Sequence, residues 1–133
     1  MKYNNINFNN KTILITGGAG FIGSNLVFYF QQNYPDSILV VFDCFRSELT
    51  FSNGNLQSFG HYKNLIDFKG DVICGNINNK NDLLLLKKYN FDYIFHQAAI
   101  SDTRVYDQEV VMQTNVNSFY DILNIAKDND AVL

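Results

Sequence analysis

Apolar and polar positions along this chain come in blocks rather than strict alternation. Lys11 to Thr16 is a short β-branched and apolar run closed by glycine, the pattern of a strand buried on both faces. From Phe21 to Gln32, Ile22, Leu26 and Phe30 recur at helical spacing with Val27 beside them. Pro35 stands just past the end, so the spacing predicts a helix there. Ser37–Phe42 reads as a second strand, Lys69–Cys74 as a third and Phe91–His96 as a fourth. Between the second and third strands lies a long polar segment, Arg46–Lys63, rich in Asn, Ser and Gly. Long loops in compact domains are functional or disordered far more often than idle.

Asp82 is expected to cap a short helix through Leu83–Leu86, ending near Tyr89. Four successive leucines cover most of a helix's circumference, which predicts burial on more than one side. In the last helix, Met112, Val116, Phe119, Leu123 and Ala126 recur at intervals of four and three, predicting one apolar stripe against a sheet. Ala131–Leu133 reads as the opening of a fifth strand. Strand and helix in alternation give an α/β fold, a doubly wound parallel sheet with right-handed crossovers, cut off at about strand five. Residues 1–133 form one domain, with no repeat and no linker.

Composition narrows the function classes. The net charge is −3 and the charges are scattered, so no nucleic-acid partner is expected. Cys44 and Cys74 match no metal or redox spacing, and His61 and His96 are the only histidines, so no metal site is expected. The N-terminal MKYNNINFNN lacks the apolar core of a signal peptide, and no run is long enough to span a bilayer. The expectation is a cytoplasmic protein with no membrane partner. Asparagine pairs such as Asn4-Asn5 and Asn78-Asn79 sit where turns are useful.

The chemistry concentrates in TGGAGFIGSN, Thr16–Asn25, directly after the first strand. Glycine costs backbone entropy, so four of them within seven positions imply close approach to the main chain. Gly18-x-Gly20-x-x-Gly23 has the dinucleotide spacing: one glycine for the turn, one for a pyrophosphate, one for helix–strand packing. The following helix offers unpaired N–H groups to the phosphates. Asp43 ends strand two, 20 residues after Gly23, where an acid can hold ribose hydroxyls or cap a turn. Asp43 points to NAD, while Arg46 is placed either to accept a 2′-phosphate or to be a plain loop cation. The motif leaves NAD and NADP open.

These residues resemble the extended short-chain dehydrogenase/reductases, which act on nucleotide-sugars. The resemblance rests on Gly17-x-x-Gly20-x-x-Gly23, on His96-Gln97-Ala98-Ala99 as the strand-four motif, and on Asn115 in TNVNSFYDIL. FRSELTFSNGN, GHYKNLIDFKGDV and FHQAAISDT are most similar to the branch that epimerises ADP-heptose at C6. The resemblance implies an NADP-preferring isomerase of lipopolysaccharide core-sugar synthesis, with an ADP-heptose type substrate and a homo-oligomeric full-length form. It implies that Phe21 and Ile22 present backbone to the pyrophosphate, and that Asp43, Cys44 and Arg46 surround the adenosine ribose. Asn76 and Ile77 would lie at the adenine, Gln97, Ala98, Ala99, Ile100 and Ser101 on the nicotinamide side, and Asn115 at the cofactor border. Ser101, Asp102 and Thr103 would approach substrate.

Two departures stand out. Gly75-Asn76-Ile77 has Asn where the family has Asp, so the adenine amino group would meet a neutral amide oxygen. The family's catalytic Tyr-x-x-x-Lys is absent: Tyr3 is followed four on by Asn7, Tyr89 by Tyr93, Tyr106 by Val110. The chain is therefore expected to be the cofactor-binding part of such an enzyme, without catalytic residues and without the substrate domain. UDP-hexose 4-epimerases, dTDP-glucose 4,6-dehydratases and a stand-alone dinucleotide-binding module are the competing expectations.

Overall fold

A computed structural model describes residues 6–133; the Asn4-Asn5 pair and Tyr3 lie outside the described residues. Four strands form one parallel sheet: β1 (Thr12–Thr16), β2 (Ile38–Asp43), β3 (Asp71–Cys74) and β4 (Tyr93–His96), in the order β3-β2-β1-β4. The order reverses at β1, which pairs with β2 on one side and β4 on the other. The crevice at such a reversal, beyond the carboxyl ends of the strands, is where ligands bind in open α/β sheets.

Side-chain alternation along β1 and β2 sorts the core into two layers. Ile13, Ile15, Leu39 and Val41 face α1 (Phe21–Asn33) and meet Val27 and Phe30. Leu14, Val40 and Phe42 face the other way and meet Ile77, Leu83, Leu86, Ile122 and Ala126. Both faces of the central strands are closed, which is why β1 and β2 read as continuous apolar runs. Beyond the last helix, Val132 forms a parallel bridge to Tyr93, so the expected fifth strand begins beside β4.

Three expectations change. Asn79 caps α2 (Lys80–Leu83) by accepting from the Asn81 N–H, while the Asp82 carboxylate accepts from the Asn76 N–H. Asn79 is the residue with extended backbone, and a cap must stand there. The four leucines do not make one encircled helix. The chain tightens into a 3₁₀ turn over Leu84–Lys88, so Leu83 and Leu86 align inward and Leu84 and Leu85 stay half exposed.

The last helix also turns a different face inward. It runs as α3 (Gln108–Met112), a π turn (Gln113–Asn117) and α4 (Ser118–Asn129). Ser118, Ile122 and Ala126 are its buried residues, and Met112, Val116, Phe119 and Leu123 are exposed. The wider π turn rotates the phase of α4, a shift that counting in fours and threes does not register. Of the expected stripe, only Ala126 is buried.

Candidate dinucleotide-binding site

The carboxyl end of β1 opens into the glycine turn. Gly17 has φ +68°, left-handed backbone, and an added Cβ would lie 2.7 Å from the Ala98 nitrogen. The turn thus rests on Gly17 rather than Gly18, which is kept small by the Val41 methyls. At Gly23 a Cβ would collide with the Gly17 carbonyl oxygen and lie 2.8 Å from its carbon, so α1 is seated directly on the turn. Gly20 differs: its only close neighbour would be the Gly17 oxygen, at 3.2 Å, and the rest of its surroundings are open.

Gly20 is also the N-cap of α1, and no side chain caps it. The helix has thirteen residues, and its first two, Phe21 and Ile22, are 84% and 67% exposed. Its leading N–H groups therefore face open space beside a bare glycine, a geometry and polarity that suit a diphosphate.

Asp43, at the end of β2, is 6% exposed, and its carboxylate is turned inward. One oxygen accepts the Ala19 N–H at 2.9 Å and the other the Phe45 N–H at 2.8 Å. Burial pushes its carboxyl pKa up, and those two N–H groups oppose the rise. The Ala19 carbonyl is held from the other side by the His61 N–H at 3.0 Å and the Asn64 amide at 2.8 Å. The peptide units flanking fully buried Ala19 are thus clamped by the loop that follows β2, at the centre of the glycine turn.

Arg46 lines a cleft of about 390 Å³ with Ser47, Glu48, Gly60, His61 and Tyr62. Phe45, left-handed at φ +53° and 4% exposed, stacks under the Tyr62 ring at 3.8 Å. Cys44 and Cys74 are both free and exposed, at the ends of adjacent strands. Asn76 is exposed, its amide oxygen accepting the Asn78 N–H, while the Ile77 side chain belongs to the core. Any contact of Ile77 with a ligand is through its backbone.

On the other side of β1, Thr16 organises the loop after β4. It is fully buried; its hydroxyl pairs with His96 Nδ1 at 2.7 Å and accepts the Ala98 N–H at 3.3 Å, and its carbonyl accepts the Gln97 N–H. Burial lowers the His96 pKa, because it penalises the charged imidazolium. Asn115, on the π turn, holds both the N–H and the C=O of Ile100, at 2.7 and 2.9 Å. Gln97, Ala99 and Ser101 remain exposed on this loop.

The Asp102 side chain is 5% exposed and engaged by the Arg104 guanidinium and the Asn55 amide. The Arg104 pairing holds its carboxyl down to about 2. The roles of Thr16, Asn64 and Asn55 do not show in the sequence, because their partners are 45 or more positions away. Only the burial of Thr16, as the last residue of an apolar strand, leaves a trace there.

The sheet order, the glycine turn and the loops that converge on it define a Rossmann-type dinucleotide fold. The model of the NAD dependent epimerase/dehydratase family matches residues 13–133, and the chain belongs to that family. It is 36% identical over 116 residues to the ADP-L-glycero-D-manno-heptose-6-epimerase of Brachyspira hyodysenteriae, covering 87% of this chain and 33% of that protein. The crystal structure of the Helicobacter pylori ADP-L-glycero-D-manno-heptose-6-epimerase superposes with a TM-score of 0.85 at 53% identity, covering 98% of this chain and 40% of that one. A dTDP-glucose 4,6-dehydratase of Bacillus anthracis, solved with NAD, matches at 28% identity and TM-score 0.68, over 92% of this chain and 35% of that one. The chain thus spans well under half the length of these relatives. Among the described residues no helix is long and apolar enough to cross a membrane, and no group of three or more His, Cys, Asp or Glu could hold a metal.

Proposed function

We propose that this chain is the cofactor-binding part of a nucleotide-sugar epimerase acting on an ADP-heptose type substrate, and that it binds NADP in preference to NAD. The observation that carries the reading is the glycine corner, where Gly20 and the uncapped start of α1 leave bare main chain at the sheet's reversal point. The diphosphate would lie on Gly20, Phe21 and Ile22. A bound nicotinamide dinucleotide supplies reversible hydride transfer, the chemistry that inverts a carbinol centre through a ketone. Gln97–Ser101, fixed by Thr16 and Asn115, would flank the nicotinamide, and Asn76 the adenine.

The preference for NADP is supported by two features. The Asp43 carboxylate faces backbone N–H groups, not open space, so it does not confront a 2′-phosphate directly. Arg46 lines the adjoining cleft, where a guanidinium can pair with that phosphate. The substrate class is supported by the similarity to two ADP-heptose epimerases. From the resemblance of the loop segments to that branch, the reading extends to lipopolysaccharide core synthesis, a cytoplasmic location and an oligomeric full-length enzyme.

Fluorescence titration with NADPH and NADH tests the cofactor reading. NADPH is expected to bind about tenfold more tightly, with the difference lost in Arg46→Ala. Equal affinities in the unaltered chain would contradict the preference. The same preparation is expected to show no interconversion of ADP-heptose epimers, for want of Tyr-x-x-x-Lys. Turnover by these residues alone would place the acid and base within them.

A further inference from the structure

The segment after β2 does more than brace the glycine turn. Thr50 and Leu56 pair as a small antiparallel bridge, making a finger of the residues between them. The finger reaches the loop that leaves β4. The Ser52 N–H donates to the Asp107 carboxylate at 2.8 Å, the Asn53 amide to the Arg104 carbonyl at 2.8 Å, and the Asn55 amide to Asp102 at 2.5 Å. These bonds join residues 47 to 55 positions apart.

Topology gives them their meaning. β1 lies between β2 and β4, and all three strands run parallel, so their loops leave the same end of the sheet. A link from the β2 loop to the β4 loop therefore bridges the outlet of β1, where the glycine turn begins. The inner root of the finger, Leu56, lines the cleft shared with Arg46 and His61. The receiving carboxylate is prepared: Asp102 is nearly covered, and Arg104 holds its charge by chelating it through Nε and Nη2. It is thus engaged by the finger and by Arg104 together.

We infer that Thr50–Leu56 is a strap across the diphosphate groove, fastened by Asn53 and Asn55, which retains the dinucleotide by slowing its release. The inference rests on the proposed dinucleotide site. Asn53 and Asn55 act here as positioning residues, since they hold the strap rather than the ligand. A strap raises the barrier to exit without adding a contact at the reacting atoms, so its signature is kinetic.

The test is stopped-flow release of NADPH, chased with excess NADP, from the unaltered chain and from Asn53→Ala and Asn55→Ala separately, with the melting temperature of each. The unaltered chain is expected to release slowly and each variant about tenfold faster, with each variant still folded and melting only slightly lower. Asn55→Gln, which keeps the donor, is expected to recover part of the retention. Unchanged release rates in folded variants overturn the strap and leave the dinucleotide site standing. No NADPH or NADH binding by the unaltered chain removes the strap together with the site.

Discussion

The glycine corner and the loop after β2 flank the same groove but are built by opposite means. The corner is made by omission. Gly17, Gly20 and Gly23 leave out side chains so that backbone can turn, lie bare at the helix start and pack against a helix. The loop side is made by addition: Asp43 at the end of β2, and Asn64, Asn53 and Asn55 in the segment that follows, reach across to grip main chain or carboxylate. Local omission is written in adjacent letters, whereas addition depends on partners that only the fold brings near. The first sets the shape of the site, and the second sets how firmly that shape is held.

The contrast predicts graded damage. Gly23→Ala drives a methyl into the Gly17 carbonyl, and no flexible side chain is there to yield. Such overpacking costs about 1–3 kcal/mol. Gly17→Ala adds left-handed strain of about 1–2 kcal/mol to a comparable clash. Both variants are expected to melt well below the unaltered chain in circular dichroism; an unchanged melt would break the claim that α1 is seated on the turn.

A smaller loss is expected on the loop side. Asp43→Ala leaves the Ala19 and Phe45 N–H groups without their acceptor in a buried place, at about 1–3 kcal/mol each, and the loss is offset in part because the carboxylate's own burial, which pushes its pKa up, is relieved. Urea unfolding should show a lower midpoint with an unchanged slope. Because the glycine turn loses one side of its clamp, NADPH affinity should fall as well. A stable variant with full affinity would show that Asp43 braces nothing.

The smallest effect concerns His96. Its folded pKa lies below the unfolded value, so the unfolded chain takes up the proton more readily. Stability from this group is present above the usual histidine range and is lost as pH falls through it. Urea midpoints should drop between about pH 7.5 and pH 5.5, and His96→Gln should reduce that drop. A larger drop in the variant would contradict a buried neutral ring.

Much of this architecture is legible in the sequence. The four strands, α1 and the glycine turn stand where apolar runs and small residues put them, and the central strands β1 and β2, buried on both faces, need no partner information to be read. The last helix is harder. Ile122 and Leu123 are apolar neighbours, and the choice between their faces is made by the π turn at Gln113–Asn117. The same turn carries Asn115, which ties down Ile100, so the irregularity and the site are one feature. Asp43 is visible as a residue of the site, but its inward-facing carboxylate is not, since Ala19 and Phe45 become its partners only on folding.

Gly20→Val offers the most direct test, because at that position the glycine motif is least packed, with the Gly17 oxygen its one close neighbour. NADPH would be titrated into the unaltered chain and into this variant, with the fold of each checked by circular dichroism. A folded variant that has lost NADPH binding at least about a hundredfold is the predicted result. A folded variant that binds as tightly as the unaltered chain would show that no diphosphate rests on that corner.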